Sequence, residues 1–193
     1  MARTQIEKGL QTKQHIDETL QAMMMEMPYH KLTVQEVTKR CNIHRKTFYI
    51  HYPSLDDYFF NLQEEIFTQL MEVNDRNFKD VDEIDYELLM RVVYEFINCK
   101  PEFYSFLMQT NSYMFVFDGV KKRYVKHVKT YILDKYKSDD RVAQIISAYV
   151  LENIIHCYRM WLESPDDISF EEYQKLTANL VYHGLKSLNQ AHT

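Results

Sequence analysis

Glycine and proline are scarce in this chain, 3 and 4 among 193 residues. Proteins built from many strands and tight turns use more of both, so the scarcity argues for long helices. No segment alternates apolar and polar residues long enough to suggest a sheet. Cysteine is sparse too: Cys41, Cys99 and Cys157 are odd in number, far apart and never in a Cys-x-x-Cys pair. Buried thiols in a reducing compartment fit this better than a disulfide framework. The first residues lack an apolar signal core, so a cytoplasmic rather than a secreted protein is expected. The most apolar stretch, Ala143 to Leu162, is broken by Gln144, Glu152, Asn153, His156 and Arg159. It reads as a buried helix, not a membrane span. A phosphate loop, a dinucleotide fingerprint and a Gly-x-Ser-x-Gly elbow are all missing. No catalytic residues are assigned, no cofactor is expected, and an enzyme is the weak competing class.

What is present is apolar bulk, 46% of the chain, enough for a substantial core. The net charge of -5 is unevenly spread. Residues 1–55 carry eight Lys or Arg against five acids, a balance of +3, and residues 56–193 carry -8. A basic head on an acidic body suits a polyanion-binding module joined to a part that does not bind nucleic acid. Charge scattered by chance would look similar, so charge alone does not decide.

Helical periodicity and caps divide the chain into nine expected helices, an all-α fold. The first spans about Thr4 to Met27, where Ile6, Leu10, Ile16, Leu20, Met23, Met24 and Met27 recur at three- and four-residue spacing. Its methionines, Met25 included, read as packing, and Pro28 ends it. Thr33 and Glu36 form a capping box for a short helix from Val34 to Cys41. Asn42 can take the left-handed turn that follows. A second short helix runs from His44 to His51. Ser54 and Asp57 open a longer one to about Asn74. After an acidic connection, Asp75 to Asp85, helices are expected at Tyr86–Cys99, Pro101–Gln109, Ser112–Tyr136, Asp140–Glu163 and Ser169–Leu188.

The informative stretch is Leu32 to Tyr58. Two short capped helices flank a tight turn, and Val34, Val37, Ile43 and Phe48 can close a small core beneath them. That is the plan of a helix-turn-helix, which lays its second helix in the major groove of DNA. His44, Arg45, Lys46 and Thr47 cluster at the start of that helix, where base edges are reached. Arg can pair bidentately with guanine, and Thr can bond a base or touch a thymine methyl. Tyr49, His51 and Tyr52 can donate to phosphate oxygens, and Thr33 opens a helix whose free N–H groups favour anions.

This stretch closely resembles the DNA-binding domain of the TetR family. The resemblance rests on Leu32-Thr33, on Val37 four residues later, and on Thr47-Phe48-Tyr49-Ile50-His51-Tyr52, ungapped over about residues 10–60. Thr38, Asn42 and Leu55 stand where the family has a small residue, a glycine and a phosphate-binding lysine. The resemblance implies a nine-helix TetR-like fold with a helix-turn-helix domain at 1–53 and a helical effector-binding and dimerisation domain at 54–193. It implies a homodimer on palindromic, double-stranded operator DNA, acting as a repressor. The run from Tyr104-Ser105-Phe106-Leu107 to Trp161-Leu162 also resembles the subgroup that regulates dihydroxyacetone kinase operons.

For the dimer interface the candidates lie on the last two helices: Tyr149, Asn153, Leu176, Leu180 and Gly184. The same faces could instead bury against their own chain. For a small apolar or aromatic effector, the candidates are Phe103, Phe106, Phe115, Tyr131 and Trp161, since aromatic-lined cavities between helices are common ligand sites. His127, His156, Cys157 and His183 lack metal-ligand spacing, so no metal site is assigned. Two other readings stay open. The helical body could dock a protein co-regulator, making the chain an activator, or the chain could be a binding module whose DNA head has lost function.

Overall fold

The structure, a computed structural model, describes residues 2–79 and 86–183. Among these there is no strand. Nine α-helices follow one another: α1 (Ala2–Glu26), α2 (Val34–Arg40), α3 (Arg45–His51), α4 (Leu55–Phe78), α5 (Tyr86–Cys99), α6 (Pro101–Gln109), α7 (Met114–Tyr136), α8 (Asp140–Glu163) and α9 (Phe170–His183). One 3-10 turn, Tyr29–Lys31, follows Pro28 and was not expected. No helix of the described residues is long and apolar enough to cross a membrane.

Packing divides the chain into two compact units. Unit 1 comprises residues 1–65 and 102–119, and unit 2 comprises 66–101 and 120–193. The unit that contains the expected head, 1–53, is therefore larger than that head. It takes in the first part of α4, most of α6 and the start of α7.

In unit 1, α1 packs on α2 and α2 on α3. The buried face of α1 is Ile16, Leu20, Met23 and Met24. Two expectations for this helix change. Met25 follows the helical phase outward, and the apolar Ile6 and Leu10 are exposed, so only the second half of the expected stripe is core. Each helix of the unit ends with a physical reason. Thr33 Oγ1 accepts from Glu36 N at 3.2 Å and starts α2. Asn42 takes φ 52° after α2, and the N–H groups of Asn42 and Ile43 bond back to Lys39 and Thr38. Ser54 Oγ accepts from Asp57 N at 3.1 Å and starts α4.

The later segment of unit 1 is stitched to its beginning. Ser112 Oγ accepts from Tyr29 N, and Tyr113 donates to the Met27 carbonyl, both at 2.8 Å. These bonds cover backbone groups that the break after α1 leaves without helical partners. Tyr29, Phe59, Tyr113 and Phe115 meet mostly edge to face at centroid separations of 5.1 to 6.4 Å. Burial, with Tyr29 alongside, pushes the Tyr113 phenol up to about 12. At Gly119 a Cβ would run into the Gln63 carboxamide, which donates to the Phe115 carbonyl at 3.2 Å.

In unit 2, α5 packs on α8 and α9, and those two on each other. Tyr86, Leu89, Met90, Ile154 and Ala178 form its buried centre. Phe170 stacks on Tyr94 at 4.0 Å, with Tyr158 and Trp161 against the pair. Asp139 caps α8 by accepting from Arg141 N at 2.9 Å, and Ser169 caps α9 by accepting from Glu172 N at 3.3 Å.

The turn at Asn42 gives the first prediction. A side chain without local hydrogen bonding costs about 1–2 kcal/mol in the left-handed region, whereas glycine enters it freely. Asn42→Ala should lower stability by about 1 kcal/mol and Asn42→Gly should not. Chemical denaturation of the two variants checks this, and equal losses would remove the backbone argument.

Candidate nucleic-acid interface

The two short helices present one edge of unit 1 to solvent. Within α3, Phe48 is fully buried, and Tyr52 immediately after the helix is 1% exposed. Four residues apart, they fix the inner side of the helix. The spacing puts Arg45 with Tyr49, and Lys46 with Ile50, on the outer side. Arg45, Lys46, Tyr49 and Ile50 are all exposed, and Thr47 and His51 are half-buried between the two sides. The Tyr49 ring stands edge-on to Phe48 at 5.7 Å, which holds an otherwise exposed aromatic in place.

His44 has a role that its residue type did not announce. It is the N-cap of α3, and its Nδ1 accepts from Lys46 N at 3.2 Å. That contact needs an unprotonated Nδ1, so in the neutral ring the proton sits on Nε2. The cap thus turns an N–H donor outward at the start of the helix. Arg45 is steadied from α2: its Nη2 donates to Gln35 Oε1 at 2.9 Å. Gln35 was not singled out from the sequence, because a lone exposed Gln gives no signal until its neighbour in space is known. Thr33 lies exposed at the head of α2, with its hydroxyl spent on the cap.

Tyr52 corrects the reading of the sequence. It is buried, its hydroxyl donates to Asp17 of α1, and Lys13 lies 5.1 Å over its ring. Burial, then the bond to Asp17, holds the phenol above its ordinary range, so it stays a donor. It fastens α3 to α1 and is not placed to contact phosphate. Arg40, at the end of α2, is likewise committed, forming a two-pronged pair with Glu26 that holds that carboxyl below its usual range. His15 on α1 meets the Cys41 carbonyl at 3.3 Å, a further tie behind the interface.

The residues expected to line an effector site are divided between the two units. Phe103, Phe106 and Phe115 belong to unit 1, and Tyr131 and Trp161 to unit 2. Phe103 is buried beside Tyr104, Phe106 lies near Tyr113, and Phe115 joins the Tyr29 and Phe59 cluster. Trp161 donates to the Ile168 carbonyl at 3.0 Å and serves the turn before α9. Unit 2 instead holds a cavity of about 330 Å³ bounded by Tyr86, Leu89, Val128, Ile132, Val150 and Val181 among others, and none of the five expected residues lines it. Aromatic residues at helical spacing are core by default, and the cavity forms where aliphatic side chains leave room.

Of the interface candidates, Tyr149 on α8 and Leu176 and Leu180 on α9 are exposed. They share that exposure with Val142, Ile145, Ile146 and Met160 of α8. Asn153 is drawn inward, accepting from the Tyr86 hydroxyl at 2.5 Å. Gly184 lies outside the described residues, as does the end of the expected helix at Leu188. Among the described residues, no group of three or more His, Cys, Asp or Glu is placed to hold a metal ion.

No family model matches the sequence, and no curated protein matches it. Solved structures do match. A TetR transcriptional regulator from Streptococcus agalactiae aligns with a TM-score of 0.65 at 21% identity, covering 94% of this chain and 99% of that one. The fatty acid degradation regulator FadR from Bacillus halodurans gives 0.60 at 14%, over 90% and 96% of the two chains. FadR from Bacillus subtilis, a transcriptional regulator solved in complex with stearoyl-CoA, gives 0.58 at 11%, over 89% and 98%. The chain has the all-helical fold of TetR-type transcriptional regulators.

Proposed function

We propose that this chain is a transcription regulator that reads a palindromic operator as a homodimer, α3 lying in the major groove. The observation that carries the reading is the two-sided character of α3. One side is locked by Phe48 and Tyr52, and the other offers Arg45, Lys46 and Tyr49 to solvent. In this reading Arg45, Lys46 and Thr47 meet base edges. Tyr49, His51 and the outward N–H of His44 meet phosphates, together with the backbone N–H groups at Thr33. The +3 charge of residues 1–55 supports attraction to DNA. So does the fold, which is that of proteins named as transcriptional regulators. The role is one of binding, needs no cofactor, and belongs in the cytoplasm with the DNA. Repression is the sign that simple occupancy of an operator produces.

A palindrome calls for a two-fold protein. The exposed apolar residues of α8 and α9 support self-association there, with Tyr149, Leu176 and Leu180 in the interface. Patches of this kind on a soluble protein mark interaction surfaces. The cavity of unit 2 supports an apolar effector, in place of the site first expected among Phe103, Phe106, Phe115, Tyr131 and Trp161. FadR of Bacillus subtilis was solved with an acyl-CoA, and an aliphatic lining suits an alkyl or aromatic ligand of that general class.

Selection from random duplex DNA should enrich an inverted repeat, and affinity for it should fall steeply with salt. Arg45→Ala should cost about 1–3 kcal/mol and relax preference at one position of each half-site. Tyr49→Phe should weaken all sequences alike, and Tyr52→Phe should leave the salt slope as it is. Failure to enrich any motif would sink the regulator reading. Sedimentation should give twice the chain mass, and Leu180→Arg should give monomers, because a charge buried in an apolar interface is strongly unfavourable. A wild-type monomer that still grips the palindrome tightly would refute the dimer. Apolar compounds that raise the unfolding temperature should lose that effect in Ile132→Trp, which fills the cavity; an undiminished effect would place their site elsewhere.

A further inference from the structure

Ile50 has no role yet in the core of unit 1 or in the polar contacts of α3. It is 72% exposed, more than any other large apolar side chain among the described residues. It stands two residues after Phe48 and two before Tyr52, about 200° around the helix from either. Those two are the buried anchors of α3, so Ile50 lies on the crest of the helix, the line turned farthest from the core. Lys46 shares that crest one turn earlier, about 6 Å along the axis. Arg45 and Tyr49, both exposed, lie to either side of it.

An isoleucine on this crest brings no gain in stability. It is a poorer helix former than alanine, lysine or glutamate, and α3 has only seven residues. Left in water, its apolar surface contributes nothing to the core. A gain made when something covers the crest accounts for it. The side chain is also suited to contact. Its β-branch leaves one strongly preferred χ1 in a helix, so it holds its methyl groups in a fixed direction and loses little freedom when they are covered.

The surroundings select what covers it. Arg45 and Lys46 stand beside Ile50, and residues 1–55 carry a balance of +3. An apolar protein surface would have to strip water from both cations to reach Ile50, which is unfavourable. In the major groove of a duplex the cations stay among phosphate oxygens and guanine edges. There the one apolar group that a base pair presents is the C5 methyl of thymine. With seven residues, α3 is about 10 Å long and fits whole in a groove about 12 Å wide, so its last turn can meet base edges as well as its first.

We propose that Ile50 is a specificity-determining residue, covering the 5-methyl group of one thymine in each operator half-site. The proposal rests on the regulator reading and adds to it an apolar determinant beside the polar contacts of Arg45, Lys46 and Thr47.

The test uses the full chain and the inverted repeat enriched from random duplexes. Thymines are replaced one position at a time, in both half-sites, by deoxyuridine, which lacks only the 5-methyl group. Affinity is read by fluorescence anisotropy at fixed salt. At one position the replacement should weaken the wild type about tenfold, from roughly three- to fourfold in each half-site. Ile50→Ala should bind the unmodified repeat about tenfold more weakly and be indifferent to that same replacement. Its salt slope should match the wild type, because no phosphate contact is lost. Its unfolding temperature should be at or above the wild-type value, since alanine is the better helix former and no packing is removed. Selection repeated with Ile50→Ala should lose the preference for that thymine and keep the others. Deoxyuridine without effect at every position, or with the same effect on Ile50→Ala as on the wild type, overturns the proposal and leaves the regulator reading standing. Failure of the wild type to enrich any duplex overturns both.

Discussion

A helix of seven residues cannot sustain itself in water, because its few hydrogen bonds do not offset the cost of nucleation. α3 is that short. It exists because Phe48 and Tyr52 are pressed into unit 1 and because Tyr52 is tied to Asp17. Burying two large aromatics contributes about 1.5–3 kcal/mol each, comparable to a good part of a small unit's net stability. Everything proposed for the DNA-facing side rests on this inner side. A rigid seat lets Arg45 and Lys46 arrive at a fixed distance from each other, and Gln35 removes part of the remaining freedom of Arg45. The His44 cap acts in the same direction by fixing where the first turn begins.

Local chemistry was legible in the sequence, and spatial neighbourhood was not. The limits expected for α5, α6 and α8 agree with the structure, because signals such as Pro101 at a first helical position and the turn Ser164-Pro165-Asp166-Asp167 act within a few residues. The longer α4 escaped, continuing to Phe78 rather than stopping near Asn74. Asn74, one of the few buried polar residues, accepts from Tyr124 at 2.6 Å and so is satisfied inside the helix that it was expected to end. The same limit explains Tyr52. Its place in a phosphate-binding pattern was clear, but the competing claim of Asp17, 35 residues earlier, was not. The helix-turn-helix itself was readable because its caps, its turn and its apolar spacing all lie within one short stretch.

The two cavities show how one helical plan produces different solvents. In unit 2 the lining is mostly aliphatic, and an apolar guest would gain from leaving water. In unit 1 a cavity of about 270 Å³ is lined by Tyr52 and Tyr58 together with Asp17 and Glu65, and such polar walls favour water over an apolar guest. The difference follows from where charge falls along the helices. Asp17 and Lys13 are one helical turn apart on α1, so a charged pair arrives at the inner edge together with the apolar stripe.

The stitching of residues 102–119 onto the beginning of the chain bears on biosynthesis. A ribosome delivers residues 1–65 first, yet the Met27 carbonyl and the Tyr29 amide wait for Tyr113 and Ser112. Between them emerges 66–101, a segment whose partners in unit 2 are made later still. The nascent head therefore spends part of synthesis with its aromatic seam open, exposed to chaperones and to its neighbours on a polysome. For the same reason the first 53 residues should not be transplanted alone as a DNA-reading cassette: a graft that omits 102–119 carries the contact surface without its clasp.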